Sequence, residues 1–179
     1  MRILEINRET ARFFFSTLNS EAGRPGLEYL RSRALTQKTI RHFGLGFAPR
    51  GWDATLKHLT GQGFDEQTLE RAGLIVRREG SVYDMFRGRA IFPIISPQSK
   101  VLGFGGRALG DAQPKYLNTA DTPVFNKRRN VYGLNFLKGG RRRIVGQIAL
   151  GLGILFIGMN TMERAVSGLQ DLPEFRQLF

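Results

Sequence analysis

The sequence predicts an α+β protein: a helical amino-terminal part, followed by a small, mostly antiparallel sheet, then an apolar carboxyl-terminal helix. Between Asn7 and Asn19, apolar residues recur at helical spacing, at Ala11, Phe14, Phe15 and Leu18. After Gly73 the pattern changes to that of strands separated by turn residues. Because the helices come first and the strands follow, an α+β domain is favoured over a doubly wound parallel sheet.

Capping and breaking residues mark the remaining helices. Arg24-Pro25-Gly26 is expected to break the chain after the first helix. Thr36 and Asp65 are candidate N-caps for two later helices. Glycines are expected to end helices at positions 44, 46 and 73. The predicted helices are 27–33, 37–43, 53–59 and 66–72.

The predicted strands form two hairpins. Glu79-Gly80 is the turn of the first, and Ser96-Pro97-Gln98-Ser99 is the connection of the second. The strands themselves are predicted at 74–77, 81–83, 90–95 and 101–107.

The composition of this 179-residue chain favours a polyanionic partner. The formal charge is +12 and the isoelectric point is about 11, which indicates a nucleic acid or an anionic membrane surface. The chain has no cysteine, so disulfides and thiolate metal ligands are excluded within it. His42 and His58 belong to no His/carboxylate cluster and are interpreted as surface or helix-end residues. The first fifteen residues do not resemble a secretion signal.

The positive charge is concentrated before residue 144. Residues 1–143 hold 25 Lys/Arg against 12 Asp/Glu, whereas 144–179 hold two against three. This break in composition near Arg143 indicates two bodies of different character. We therefore expect a basic domain at 1–137, a basic junction at 138–143, and an apolar helical segment over the remaining residues.

The segment Tyr83–Lys127 has an order of basic and glycine residues that suits a phosphate backbone. It contains YDMFRGRAIFPI, KVLGFGGRAL and PKYLNTADTPVFNK in succession. Arginine can bind phosphate oxygens bidentately, and lysine offers a mobile point charge. Glycines at 105 and 106 are expected to let the backbone approach a ligand closely. The candidate ligand-binding residues are Arg87, Arg89, Arg107, Lys115, Asn118 and Lys127.

These motifs resemble the amino-terminal half of the catalytic core of bacterial DnaG-type DNA primases. The family's Tyr-Asp-x-Phe-Arg-x-Arg stretch leading into Phe-Pro-Ile is matched at 83–94. Its glycine cluster ending in arginine is matched at 103–107, and its Pro-Lys-Tyr-Leu-Asn block at 114–118. YLRSRAL, IRHFGLGFAP and the Ala-Gly-Leu at 72–74 also fit, so the resemblance covers about residues 5–137.

The resemblance implies a basic subdomain beside an active site. It implies that the chain binds single-stranded DNA template, RNA–DNA hybrid and nucleotides during primer synthesis in DNA replication, with a replicative helicase as a further partner. By the same resemblance, the six candidate residues make these contacts. Two parts of this segment depart from the family pattern. Met85 stands where a basic residue is common. The block 118–121 reads Asn-Thr-Ala-Asp instead of Asn-Ser-Pro-Glu, and loss of the proline is expected to loosen this turn.

Two parts of the family's machinery have no counterpart in this sequence. The family has a zinc module with Cys and His ligands, and a TOPRIM domain whose glutamate and Asp-x-Asp pair hold magnesium. This chain has no cysteine, and no Asp-x-Asp follows Arg143. Carboxylates hold the Mg²⁺ that stabilises phosphoryl transfer, so we expect no catalytic or metal-binding residue and no cofactor here. Mg²⁺ is expected only with the missing TOPRIM domain. The prediction is a truncated member of the primase nucleotidyltransferases that does not polymerise nucleotides alone.

The carboxyl-terminal segment has the sequence pattern of a membrane-spanning helix. Residues 144–162 carry no charge and follow Arg141-Arg142-Arg143, which is typical of a marginal spanning helix with its start in the cytoplasm. A buried amphipathic helix is the alternative. The segment GLGILFIGMNTMERAVSGL resembles the first membrane-spanning segment of the sodium/phosphate cotransporter family. Two unrelated resemblances that meet near 138–146 indicate either a fused gene remnant or an error of sequence assembly or reading frame.

Three hypotheses remain open from the sequence. The chain is a nucleic-acid-binding fragment of a primase, a stand-alone single-strand-binding or regulatory module derived from one, or a membrane protein with a transporter-like tail. The first two predict a cytoplasmic location. The third predicts the inner membrane, reached through residues 144–162.

Overall fold

The computed structural model describes residues 2–127 and 132–133. The chain divides into two units, Met1–Asn130 and Val131–Phe179. All helices and strands among the described residues belong to the first unit. The helices are α1 (Arg2–Leu18), α2 (Arg24–Ser32), α3 (Gln37–Phe43), α4 (Ala54–Thr60) and α5 (Glu66–Arg71), with a short 3₁₀ turn at Glu21–Gly23 before α2. The strands are β1 (Gly46–Ala48), β2 (Ile75–Arg78), β3 (Ser81–Asp84), β4 (Arg89–Ile95), β5 (Val101–Ala108) and β6 (Tyr116–Asn118).

The strands described form one four-stranded sheet and one separate hairpin. The sheet has the order β1-β4-β5-β6, and every neighbouring pair in it is antiparallel. The hairpin joins β2 and β3, as predicted. In the sheet, Arg107 of β5 lies opposite Ala90 of β4 on one side and Tyr116 of β6 on the other. The α+β class and the antiparallel sheet are confirmed.

Apolar side chains cover both faces of the sheet. Ala90 and Ile91 are neighbours on β4, so their side chains point to opposite faces. Ile91 belongs to a core cluster that contains Phe14 of α1 and Leu59 of α4. Ala90 belongs to a second cluster that contains Leu30 of α2. The sheet is therefore a central layer with helices on each side.

Helix caps follow the sequence in two cases. The Thr36 hydroxyl accepts a hydrogen bond from the amide of Thr39, and Gly44 ends α3 with a φ of 62°. The Asp65 carboxylate accepts from the amide of Thr68 at the start of α5. Both candidate N-caps are confirmed.

The expected break at Arg24-Pro25-Gly26 is wrong. These residues form the first turn of α2. A proline there is tolerated because the first amides of a helix have no intrahelical acceptor. Gly26 is buried where an added Cβ would lie 2.5 Å from the Phe47 ring. This glycine serves the close packing of α2 against β1 and breaks no helix.

Strands β1 and β6 are absent from the sequence prediction. The predicted helix end at Gly46 is wrong, because Gly46 begins β1, where an added Cβ would lie 2.7 Å from the Cβ of Phe14. β6 has only three residues, so it shows little periodicity. Both are paired to longer strands, and the sheet rather than local sequence defines them.

The predictions for 138–143 and 144–179, and with them the whole transporter-like segment, lie outside the described residues. Among residues 2–127 and 132–133, no helix is both long and apolar enough to cross a membrane. The expected apolar carboxyl-terminal helix therefore stays a prediction.

Candidate nucleic-acid interface

The Arg87 guanidinium lies over two aromatic rings. Its central carbon is 4.7 Å from the ring centroid of Trp52 and 4.8 Å from that of Tyr83. These two rings lie 4.8 Å apart, centroid to centroid. Trp52 is 56% exposed and is the large apolar side chain most open to solvent among the described residues. The arrangement is a cation–π group whose tryptophan is largely open to solvent.

The backbone of Asp84 connects Trp52 and Arg87 through hydrogen bonds. Its amide donates to the Trp52 carbonyl at 2.9 Å, and its carbonyl accepts a hydrogen bond from the Arg87 guanidinium. Its buried carboxylate accepts from the amides of Thr55, at 2.6 Å, and Leu56, at 2.9 Å, at the start of α4. Burial raises the pKa of the Asp84 carboxyl, and these amide hydrogen bonds oppose the rise.

Arg89 is buried and bonded to the backbone. It is 6% exposed, and its Nη1 donates to the carbonyl of Pro114 at 2.7 Å and, at 3.5 Å, to that of Lys115. Burial lowers the pKa of Arg89, and the positive charges of Arg87 and Arg107 lower it further. Arg89 therefore lies close enough to Arg87 and to Arg107 for their charges to act on it. Arg89 also fixes the backbone from which the Lys115 side chain extends.

Arg107 is sandwiched between two tyrosines. It is 8% exposed, and its central guanidinium carbon lies 4.9 Å from the Tyr116 ring centroid and 5.6 Å from that of Tyr29. Its Nη1 donates to the carbonyl of Ala108 at 2.7 Å. We name Arg87, Arg89 and Arg107 the arginine cluster.

No carboxylate among residues 2–127 neutralises the arginine cluster. The ion pairs formed there involve other basic residues, on α1, α2, α4 and the β2–β3 hairpin. Burial of a cation is unfavourable unless an anion or hydrogen-bond acceptors compensate for lost hydration. Carbonyls and aromatic faces supply part of that compensation here. The remaining N–H donors suit a phosphate.

The other candidate residues lie on and after β6. Lys115 is half-buried and precedes β6, and Asn118 is exposed at its end. Lys127 is exposed on a later turn, where its amide donates to the Asp121 carboxylate at 2.9 Å. In the register of β5 and β6, Asn118 lies opposite Gly105 and Tyr116 lies opposite Arg107. Asn118 therefore shares a face of the sheet with Arg107, whereas Lys115, directly before Tyr116, lies on the other face.

Polar groups hold the turn that lacks the family's proline. The buried Thr119 hydroxyl accepts from the Phe104 amide at 2.9 Å and lies 3.2 Å from the Phe104 carbonyl. Asp121 holds the Lys127 amide. The hydroxyl and carboxylate that replace the family's serine and glutamate are therefore both used within the fold.

The glycines at 105 and 106 make room for the chain's own side chains. An added Cβ at Gly106 would lie 2.8 Å from Phe86 Cδ1 and 3.2 Å from Arg89 Cδ, and one at Gly105 would lie 3.0 Å from Asn118 Oδ1. The expected close approach of this backbone to a ligand stays a prediction. They let Arg89 and Asn118 pass over β5.

A family model for the DNA primase catalytic core, N-terminal domain, matches residues 13–138. The chain belongs to this primase core family. A DNA primase of Clostridium acetobutylicum is 45% identical over 135 residues, which cover 75% of this chain and 22% of the relative. The chain spans about a fifth of the length of the curated primases that it matches.

Solved primase structures share the fold. The DnaG primase catalytic domain bound to single-stranded DNA matches with a TM-score of 0.71 and 38% identity, over 74% of this chain and 42% of that one. The RNA polymerase domain of Mycobacterium tuberculosis DnaG, in complex with a double-stranded DNA oligomer with a 6-nucleotide overhang, matches with a TM-score of 0.73 and 36% identity. That match covers 76% of this chain and 44% of the other.

The primase family implies a magnesium ion. The part of the chain that the structure describes contains no set of side chains that could bind it. No group of three His, Asp or Glu side chains lies close enough there to hold a metal ion. The buried carboxylate of Asp84 is occupied by two backbone amides. The expectation that Mg²⁺ binds a different primase domain stays a prediction.

Three residues of this site are absent from the sequence prediction of binding residues. Trp52 and Tyr29 lie far from the Tyr83–Lys127 segment in sequence, and the sequence indicates no structural role for Asp84. An isolated tryptophan after a glycine, in a strongly basic chain, was the available signal for Trp52.

Proposed function

We propose that this primase core domain binds single-stranded DNA template and RNA–DNA hybrid through the arginine cluster, Lys115, Asn118 and Lys127. The observation that carries the proposal is the arginine cluster itself, in which two buried cations have no carboxylate partner among residues 2–127. A polyanion supplies the missing negative charge. The relative bound to single-stranded DNA supports the same class of ligand.

Contacts to phosphate give affinity without sequence preference, so salt dependence is the direct test. Binding of a labelled oligo-dT to the full chain is measured by fluorescence anisotropy over a range of salt concentrations. Each phosphate contact contributes a slope of about −0.7 in log K against log salt for a single strand. Lys115→Ala is expected to weaken binding and to reduce the slope by about that amount.

Arg78→Ala is the matched control. Arg78 lies exposed on β2, where its Nε is 3.7 Å from a carboxylate oxygen of Glu79. The control is expected to keep the slope of the wild-type chain. Absence of oligo-dT binding at low salt, or an equal loss in both variants, would contradict the proposal.

The role proposed for this domain is primer synthesis within a larger primase, in the cytoplasm and beside a replicative helicase. The chain alone is predicted not to polymerise nucleotides. Template, ribonucleotides and Mg²⁺ or Mn²⁺ are incubated with the full chain, and any oligoribonucleotide product made above background overturns that prediction. The transporter-like tail and its membrane location stay predictions for 144–179, which membrane fractionation tests.

A further inference from the structure

Four side chains, from α2 with its C-cap and from strands β5 and β6, form an alternating row of cations and rings. The Arg33 guanidinium carbon lies 5.4 Å from the Tyr29 ring centroid, and that of Arg107 lies 5.6 Å from the same ring. Tyr116 faces Arg107 in turn, at 4.9 Å. Tyr29 is thus the one ring in this row that contacts two arginines. It joins α2 to strand β5.

We propose that Tyr29 is a positioning residue, which holds Arg33 and Arg107 side by side to bind phosphates of a single-stranded nucleic acid. The inference rests on the proposed function and adds to it a residue that orients two of the phosphate-binding arginines. Arg33 extends the binding surface from the sheet to the end of α2. Tyr29 itself donates nothing to the phosphate in this arrangement.

The geometry of arginine explains why a ring suits this task. A cation–π contact uses the face of the guanidinium, whereas phosphate binds the N–H groups on its edge. The ring can therefore hold both cations without competing for the ligand. The negative face of the ring also reduces the electrostatic repulsion between the Arg33 and Arg107 guanidinium groups.

The two arginines need this support to different degrees. Arg107 is buried and is fixed by the Ala108 carbonyl as well as by Tyr116. Arg33 is exposed at the C-cap of α2, and no described carboxylate pairs with it. An exposed arginine loses rotamer freedom when it binds, and a ring that holds it beforehand reduces this loss.

The fold holds the Tyr29 ring in place. Tyr29 is half-buried and packs against the core cluster that contains its neighbour Leu30 and Phe47 of β1. A change to Leu could therefore disturb packing as well as the cation contacts. The discriminating variant must keep the shape of the ring and alter only its charge distribution.

The test replaces Tyr29 in the full chain with phenylalanine and, by nonsense suppression, with pentafluorophenylalanine. The two rings have similar shape, but fluorination removes the negative face that attracts a cation. Tyr29→Phe is expected to retain oligo-dT affinity, and the fluorinated ring is expected to weaken it about threefold to tenfold. Fluorination of Phe64, a half-buried ring packed on the other core cluster, is the control.

A double-mutant cycle with Arg33→Gln separates positioning from general packing. The fluorinated ring should weaken oligo-dT binding less in the Arg33→Gln chain than in the wild-type chain, because one of the two guanidinium groups that the ring positions is already absent. Equal oligo-dT affinity of the Tyr29→Phe chain and the fluorinated chain overturns the positioning role, while wild-type binding keeps the proposed function intact. Failure of the wild-type chain to bind overturns both.

Discussion

The carboxylate of Asp84 accepts a hydrogen bond from the backbone amide of Thr55 at 2.6 Å, across 29 positions of sequence. It thereby caps α4 from the neighbouring hairpin. Asp53 occupies the N-cap position of α4 but makes no capping hydrogen bond with its side chain. The helix start is thus tied to β3, and the same residue holds Trp52 and Arg87 through its backbone.

Asp84→Asn is expected to destabilise the domain by about 1–3 kcal/mol, because a buried amide hydrogen bond is lost. The asparagine offers one acceptor oxygen, and its NH₂ group would face a backbone amide, which is also a donor. Urea unfolding followed by circular dichroism measures the change. The emission of Trp52, the only tryptophan in the chain, should shift as its surroundings loosen.

Asp53→Asn is the control for this substitution. Asp53 pairs with Lys57 at 3.0 Å near the surface, where such pairs contribute little. Its unfolding free energy should stay within about 0.5 kcal/mol of wild type. If the two variants lose equal stability, Asp84 has no special capping role.

Gly106→Ala is expected to destabilise the sheet by roughly 1–3 kcal/mol through overpacking. The new Cβ would lie 2.8 Å from the buried Phe86 ring and 3.2 Å from the Arg89 side chain. Displacement of Arg89 should also weaken oligo-dT binding. Gly51→Ala, where the nearest atom is 3.4 Å away, should leave both the unfolding free energy and the binding nearly unchanged. Equal effects of the two substitutions would contradict the overpacking at Gly106.

Local signals in the sequence predicted the elements that local chemistry determines. Thr36 and Asp65 cap helices through amides three residues later, so their partners lie within the same pattern. The Glu79-Gly80 turn joins β2 and β3 because its two residues adopt positive φ, of 50° and 78°. These features need no knowledge of the rest of the chain.

Features that depend on distant partners were missed. β1 is defined by its pairing with β4, some 43 positions later, and Gly46 is needed there because Phe14 packs directly against it. The candidate arginines were found because they lie in one ordered segment. Trp52 and Tyr29 join them only once α2 and the start of α4 have packed on the sheet.

The α5 cap should weaken in acid. Hydrogen bonds from the Thr68 hydroxyl and amide lower the pKa of Asp65 below 3.8, with a smaller contribution from Arg2. A lowered folded-state pKa means that the ionised carboxylate stabilises the fold above the unfolded-state value. That stabilisation is present near neutral pH and is lost as the pH falls below about 4 through the folded-state pKa.

Asp65→Asn isolates this contribution, because the amide can still cap but cannot ionise. The stability advantage of wild type over Asp65→Asn should be present at pH 6 and should shrink as the pH is lowered below 4. Thermal unfolding of both chains at matched pH measures it. Asp84, whose pKa is raised, contributes with the opposite sign to both chains and cancels in this difference. An advantage that does not change with pH would contradict the assignment.

Substitution of Trp52 tests directly whether a base of the nucleic acid stacks on its ring. Its ring is 56% exposed and backed by Arg87, so an unstacked base can cover the open part of it. Trp52→Ala is expected to weaken oligo-dT binding roughly fivefold or more, since stacking on an aromatic ring contributes about 1–3 kcal/mol per base. The salt slope should not change, because no phosphate contact is removed.

Arg87→Gln should instead reduce the slope by about 0.7. Equal slopes in these two variants would show that Arg87 holds the ring and makes no phosphate contact. Unchanged affinity in Trp52→Ala would show that bases do not stack on Trp52.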